Sequence, residues 1–192
     1  MFQTSQITDL KQAVEQAGII LDLSKSDNLD YLFNGCAQTT RVPVINISGS
    51  RANRYLFNVC RKLVEIEKLI LKYDGSQVLT GSFGQCNALT TICVEGVIGD
   101  SLDFGVCPLT RDSILGKEIT DEEYGALTTN QQQYNTIVFN NKRYYGGIVA
   151  ALSPTLTGKT IKFKQTAKEA AFTAEEWEQL IALKTNWTFN LA

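Results

Sequence analysis

The pattern Phe-x-x-Cys occurs four times in this chain, at Phe33/Cys36, Phe57/Cys60, Phe83/Cys86 and Phe104/Cys107, with the cysteines 24, 26 and 21 residues apart. Nine Phe and five Cys scattered over 192 residues would rarely form even one such pair. The agreement runs further along each unit. Three residues past the first three cysteines stand Thr39, Leu63 and Leu89; six past stand Val42, Ile66 and Ile92; eleven past stand Ile47, Leu71 and Val97. Apolar positions at fixed offsets, with a period of about 20 to 29 residues, are the signature of a leucine-rich-repeat solenoid. One unit of that length cannot bury its apolar face alone, so units must stack, Phe on Phe and Cys on Cys. The expected fold class is α/β: a short right-handed leucine-rich-repeat solenoid of about four units, with an N-terminal helical cap and a C-terminal α+β cap.

The same stacking gives Phe33, Cys36, Phe57, Cys60, Phe83, Cys86, Phe104 and Cys107 the role of a structural ladder, because free cysteine packs as a small, often fully buried hydrophobe. A reactive, metal-binding or disulfide role is the competing reading, and burial in apolar surroundings weighs against it by raising a thiol's pKa. Cys93 falls outside the ladder, beside the strand residue Ile92. An odd number of cysteines also leaves no complete disulfide framework within one chain.

Composition removes much chemistry. There is no histidine, which excludes Ser-His-Asp and Cys-His catalysis and every zinc site that needs imidazole. No GxxxxGK[ST] or GxGxxG loop is present. A net charge of −2, without basic residues clustered among aromatics, gives no sign of nucleic acid. No run approaches the roughly 18 to 20 apolar residues of a membrane span, and the opening MFQTSQITDL lacks the regions of a secretory signal. The expectation is a non-enzymatic protein without cofactor or metal. Asp121, Glu122 and Glu123 could flank a sugar as glycosidase carboxylates do, but a DEE run at a helix start is more simply a dipole-favoured N-terminus.

The Phe-x-x-Cys-x-x-Leu-x-x-Ile pattern over about residues 20 to 115 resembles the BspA-like leucine-rich repeats of the Treponema pallidum type. The C-terminal stretch LSPTLTGKTIKFKQTAKEAAFTAEEWEQLIALKTNWTFNL resembles the module that closes such repeats, with Asn186 where the family has glycine. Asn is the next best residue for a left-handed helix C-cap, so that departure is mild. The resemblance implies relatives among surface proteins of gut and oral bacteria and tail- or baseplate-associated proteins of their phages. It implies a cell-surface, extracellular or virion setting, while a cytoplasmic one stays open.

The resulting organisation is a helical cap at 1–18, repeats at 19–115, an inserted segment at 116–147 and a C-terminal α+β cap at 148–192. In the first cap Ile7, Leu10, Val14 and Ala17 share one helical face, Thr8 suits the N-cap and Gly18 the end, with a first strand at Ile19 to Leu23. In the last, Thr173 and Glu176 form a capping box that turns Trp177, Leu180 and Ile181 inward. Strands from Thr160–Lys164 and Trp187–Leu191 flank that helix.

The insert departs most from the resembling pattern. It separates Pro108–Ile114 from Ile148–Leu152 by about thirty residues and contains NTIVF and KRYY around Asn140-Asn141, the signature of a two-residue hairpin. It also holds Tyr124, Tyr134, Tyr144 and Tyr145, four of the seven tyrosines. Tyr mixed with Asn, Gln, Thr and Gly is the composition of recognition loops. Tyr124, Tyr134, Arg143, Tyr144 and Tyr145 are therefore the candidate ligand-binding residues, against the alternative of a packed structural hairpin. The expected function is a non-catalytic recognition or adhesion module for a protein or a cell-surface glycan. The competing expectation is a structural or assembly protein that binds its own copies or a neighbouring virion subunit. A virion setting predicts a homo-oligomer such as a trimer or ring.

Overall fold

The computed structural model describes residues 8–17 and 21–192. Helix α1 (Leu10–Ala17) leads, with Leu10 and Val14 buried. Its first turn is capped by Asp9, whose carboxylate accepts from the Gln12 N–H at 2.8 Å. Asp9, not Thr8, therefore takes the cap role. Ile7, Gly18 and Ile19 lie outside the described residues.

Strands β1 (Leu21–Asp22), β2 (Arg41–Asn46), β3 (Glu65–Ile70) and β4 (Thr91–Glu95) form one parallel sheet in sequence order. Val42, Ile66 and Ile92 are in register across it. Between the strands the chain is irregular, yet its backbone still bonds layer to layer: the N–H groups of Tyr31, Phe33 and Gly35 donate to Arg54, Leu56 and Asn58. Phe33 stacks on Phe57 at 5.2 Å, Phe57 on Phe83 at 6.0 Å and Phe83 on Phe104 at 4.5 Å. The Cys60 and Cys86 thiols each donate to the carbonyl of the preceding layer's Phe, both at 3.1 Å. Burial pushes these two thiols up, and raises that of Cys107 to about 12, so all three are unreactive at neutral pH.

The expected leucine-rich-repeat solenoid is corrected at β4. The chain is an α/β fold with a four-stranded parallel sheet and two further three-stranded sheets, and not a solenoid carried through four units. Among the described residues, the parallel sheet gains no strand after β4. Strand β5 (Leu102–Phe104) joins a different sheet, and the segment after Cys107 becomes helix α2 (Arg111–Leu115). The cause is local. Ser113 stands six residues past Cys107, where Val42, Ile66 and Ile92 stand in the earlier units. Its hydroxyl accepts from the Ile92 N–H at 3.0 Å and donates to the Thr90 carbonyl at 2.9 Å, serving the edge of β4 with a side chain instead of a strand.

The chain then builds strand β6 (Gly116–Ile119), helices α3 (Asp121–Ala126) and α4 (Thr129–Tyr134), and strands β7 (Thr136–Phe139) and β8 (Lys142–Gly146). These strands make an antiparallel sheet in the order β6-β8-β7. The excursion starts and ends on the paired glycines Gly116 and Gly146. At Gly146, φ is +80° and a Cβ would stand 2.6 Å from the Cys93 sulfur, so a side chain there would push β8 off the parallel sheet.

Helix α5 (Ile148–Ala151) returns the chain to the core, and strand β9 (Lys159–Phe163) pairs with β5. Helices α6 (Gln165–Ala171) and α7 (Ala174–Ala182) follow, and strand β10 (Trp187–Leu191) completes the order β10-β9-β5. Phe163 extends the aromatic stack from Phe104 at 6.1 Å and meets Trp177 edge-on at 5.7 Å. Thr173 and Glu176 make a reciprocal capping box, and Trp177 and Leu180 are buried while Ile181 is half-buried. Arg111 ties this unit to the rest: it grips Glu176 at 2.9 and 3.4 Å, donates to the Ala171 carbonyl, and lies 4.5 Å from the Phe172 ring centroid. Asn186 is not a left-handed cap, for its φ is not positive. Its amide donates to the Ser153 and Leu156 carbonyls at 2.8 and 2.7 Å, which a glycine could not do.

One core position runs against the pattern. The bridges Asn28–Ala52 and Ala52–Val78 bring Asn53 into register with Leu29 and Leu79. Asn53 is fully buried, and neither its amide oxygen nor its nitrogen has a hydrogen-bond partner among the described residues. A buried unsatisfied amide costs about 1–3 kcal/mol. Replacing it with the residue of the adjoining layers, Asn53→Leu, is expected to stabilise the protein by about 1–2 kcal/mol in urea unfolding; a loss of stability would contradict the packing described.

Candidate recognition site

Asn140 and Asn141 both adopt positive φ, 49° and 60°, which gives the tight hairpin turn between β7 and β8. Alternation then sorts the side chains. Ile137, Phe139 and Tyr144 are buried on one face, while Val138, Arg143 and Tyr145 point to the other. Tyr144 is 8 % exposed, so it is a core residue and no part of a ligand surface.

Two contacts pin the insert to β4. Asn135 is fully buried and bonds Gly96 in both directions, accepting from its N–H at 3.0 Å and donating to its carbonyl at 2.8 Å, as a strand's peptide group would. Tyr145 donates from its hydroxyl to Glu95 at 2.9 Å. Glu95 also receives the Tyr73 hydroxyl at 3.2 Å and the Lys68 ammonium at 3.3 Å. Partial burial opposes ionisation of Glu95, but the bonds from Gln131, Tyr145 and Lys68 outweigh it and hold the carboxyl below its usual range. Burial, then the Glu95 charge, pushes both the Tyr73 and Tyr145 phenols upward, so they remain donors at every physiological pH.

The five candidate residues thus divide. Tyr144 is core, and Tyr145 is held at Glu95. Tyr134 is half-buried and tilts against Tyr73, with ring centroids 5.9 Å apart. Tyr124 lies under Arg143, whose guanidinium carbon is 4.2 Å from its ring centroid and whose Nε donates to Asp121 at 3.1 Å. The structure therefore forms two groups, Tyr124 with Arg143 and Tyr134 with Tyr73. Composition of the insert pointed to neither Tyr73 nor Glu95, since both belong to the parallel layers; Glu95 pairs with Ile70 in register, so its bond to Lys68 is a diagonal contact that no sequence offset reveals.

Asp121, Glu122 and Glu123 occupy the first turn of α3, where Thr120 and Glu123 form a capping box. Glu123 is held below its usual range chiefly by the Thr120 backbone N–H, so the run is used for helix initiation. Half-buried Cys93 lines a cleft of about 330 Å³ with Ser113 and Tyr145, and burial raises its thiol pKa. Among the described residues, no group of three His, Cys, Asp or Glu side chains could hold a metal ion, and no helix is long and apolar enough to cross a membrane. Comparison with protein-family models, curated proteins and solved structures finds no match to this chain.

Because the folded-state pKa of Glu95 is depressed, its contribution to stability is fully present above its unfolded value. It is lost as pH falls through the folded one. Urea unfolding between about pH 5 and pH 3 is expected to show a shallower loss of stability for Glu95→Gln than for wild type. At neutral pH the variant is expected to be weaker by about 1–3 kcal/mol. Parallel pH profiles would show that Glu95 does not hold the insert through its charge.

Proposed function

We propose that the protein is a non-catalytic recognition module, and that the insert, held against β4, presents Tyr124, Tyr134 and their polar neighbours to a protein or glycan partner. The observation that carries this reading is the pinning of the insert through Asn135 and Tyr145. Side chains left half-exposed on a fixed frame lose little conformational freedom on binding, which is where affinity is otherwise spent. Tyr124, Gln131, Gln132 and Tyr134 are all half-buried on that frame, and such side chains supply contact area and adaptable hydrogen bonds. A bacterial-surface or phage-virion setting rests on the sequence resemblance of the Phe-x-x-Cys units and the closing segment alone.

Self-assembly is the second reading, favoured by the edge of the β10-β9-β5 sheet. Among the described residues, strand β10 pairs only with β9; it ends in Leu191, which is 40 % exposed, and such an edge can accept a further strand.

The test is binding of labelled protein to intact gut-bacterial cells and to a glycan array, with Tyr124→Ala/Tyr134→Ala beside wild type. Neither residue is a core residue, so circular dichroism should show the variant folded. Wild-type binding reduced about tenfold or more in the variant, roughly 1.4 kcal/mol, is the expected result. Absence of wild-type binding, with concentration-dependent association in light scattering, would replace this reading with self-assembly.

A further inference from the structure

Tyr73 follows β3, Tyr134 ends α4, and Ser153 to Thr155 follow α5, yet all three segments wall one cleft of about 200 Å³. Asp74 and Gln133 complete its polar lining. We infer that this cleft is a binding site for a single neutral sugar ring. The inference rests on the recognition reading and narrows it to one ligand class.

Four features converge. The volume lies below the roughly 300 Å³ at which drug-sized pockets begin, so only a small ring enters. The tilted Tyr73 and Tyr134 rings supply aromatic surface of the kind that packs on the C–H face of a pyranose. Neither the Tyr134 hydroxyl nor the Gln133 amide has a hydrogen-bond partner among the described residues, so both are free to meet a ligand. Tyr73, by contrast, is fixed in place by its bond to Glu95.

Charge decides between a sugar and a cation, since tyrosine rings beside a carboxylate could also take an ammonium group. Asp74 is already neutralised by Lys72 at 2.7 Å. Slight burial opposes its ionisation, but the Lys72 and Ser76 hydrogen bonds win and bring its carboxyl to about 2. The pair therefore carries no net charge, and Asp74 offers its acceptors to the cleft. Gln133 offers both a donor and an acceptor through its amide. Hydroxyl groups, each both donor and acceptor, match such a lining, whereas an ammonium ion would have to displace Lys72.

Saturation-transfer difference NMR on the full chain tests this with free glucose, galactose, mannose and N-acetylglucosamine, and with tetramethylammonium as the cationic probe. At least one sugar is expected to receive saturation at its ring protons. Titration should show affinity lowered about tenfold in Tyr134→Ala and about threefold in Gln133→Ala, with the exposed α7 variant Glu178→Ala unchanged. Gln133 is exposed, so its variant keeps the test valid if Tyr134→Ala unfolds. No transfer to any sugar, transfer to tetramethylammonium alone, or sugar binding unaffected by both cleft variants would overturn the assignment. Cell binding that persists in the absence of sugar binding would leave the broader recognition reading standing and remove only this one.

Discussion

The open edge of β4 is the constraint on which the rest of this molecule depends. A parallel sheet that stops must leave a row of N–H and C=O groups, and an exposed row of that kind recruits other chains. In this chain the row is answered by side chains. Ser113 serves Ile92 and Thr90, and Asn135 serves Gly96 in both directions. The backbone of Ile98 then pairs with Ala151 and Ser153. Each of these partners belongs to a segment that comes after the parallel layers. Sealing the edge and positioning the insert are one event.

Behind that edge the aromatic stack supplies continuity. It runs from Phe33 through Phe57, Phe83 and Phe104 to Phe163, crossing from the turns between the parallel strands into the C-terminal sheet without a gap. Each stacked pair adds about 0.5–1.5 kcal/mol beyond its area burial. Hydrogen bonding changes partners at β4 while the core does not. Arg111 joins the two regimes from the outside, held between Phe139 of the insert and Phe172 and Glu176 of the C-terminal unit. Glu95 does the corresponding work on the other side, collecting Tyr73, Lys68 and Tyr145 around one carboxylate.

The legible part of the fold was whatever repeats or obeys a local rule. The Phe and Cys positions, the Asn140-Asn141 hairpin and the Thr173/Glu176 capping box each depend on a few nearby residues or on a fixed offset. The termination of the sheet did not share that property. Ser113 falls on an apolar offset and reads as one irregular residue in a fourth unit, whereas its hydroxyl ends the parallel pairing. Asn135 looks like a loop amide, and nothing near it in sequence reveals that Gly96 lies opposite. The candidate site divided in the same way. Composition singled out the insert's tyrosines, and period-two alternation separates Tyr144 from Tyr145 once the hairpin is set. Tyr73 and Glu95 act through contacts 22 and 50 residues apart along the chain, beyond any local pattern.

The most direct test of edge sealing is native-state hydrogen exchange at the Gly96 amide, compared between wild type and Asn135→Leu, which keeps the volume and removes the bonding. Exchange at Gly96 should accelerate strongly in the variant while amides of β2 and β3 keep their protection, because only the last strand loses its partner. Unchanged protection at Gly96, or an equal loss across the whole parallel sheet, would contradict the view that this side chain stands in for a missing strand.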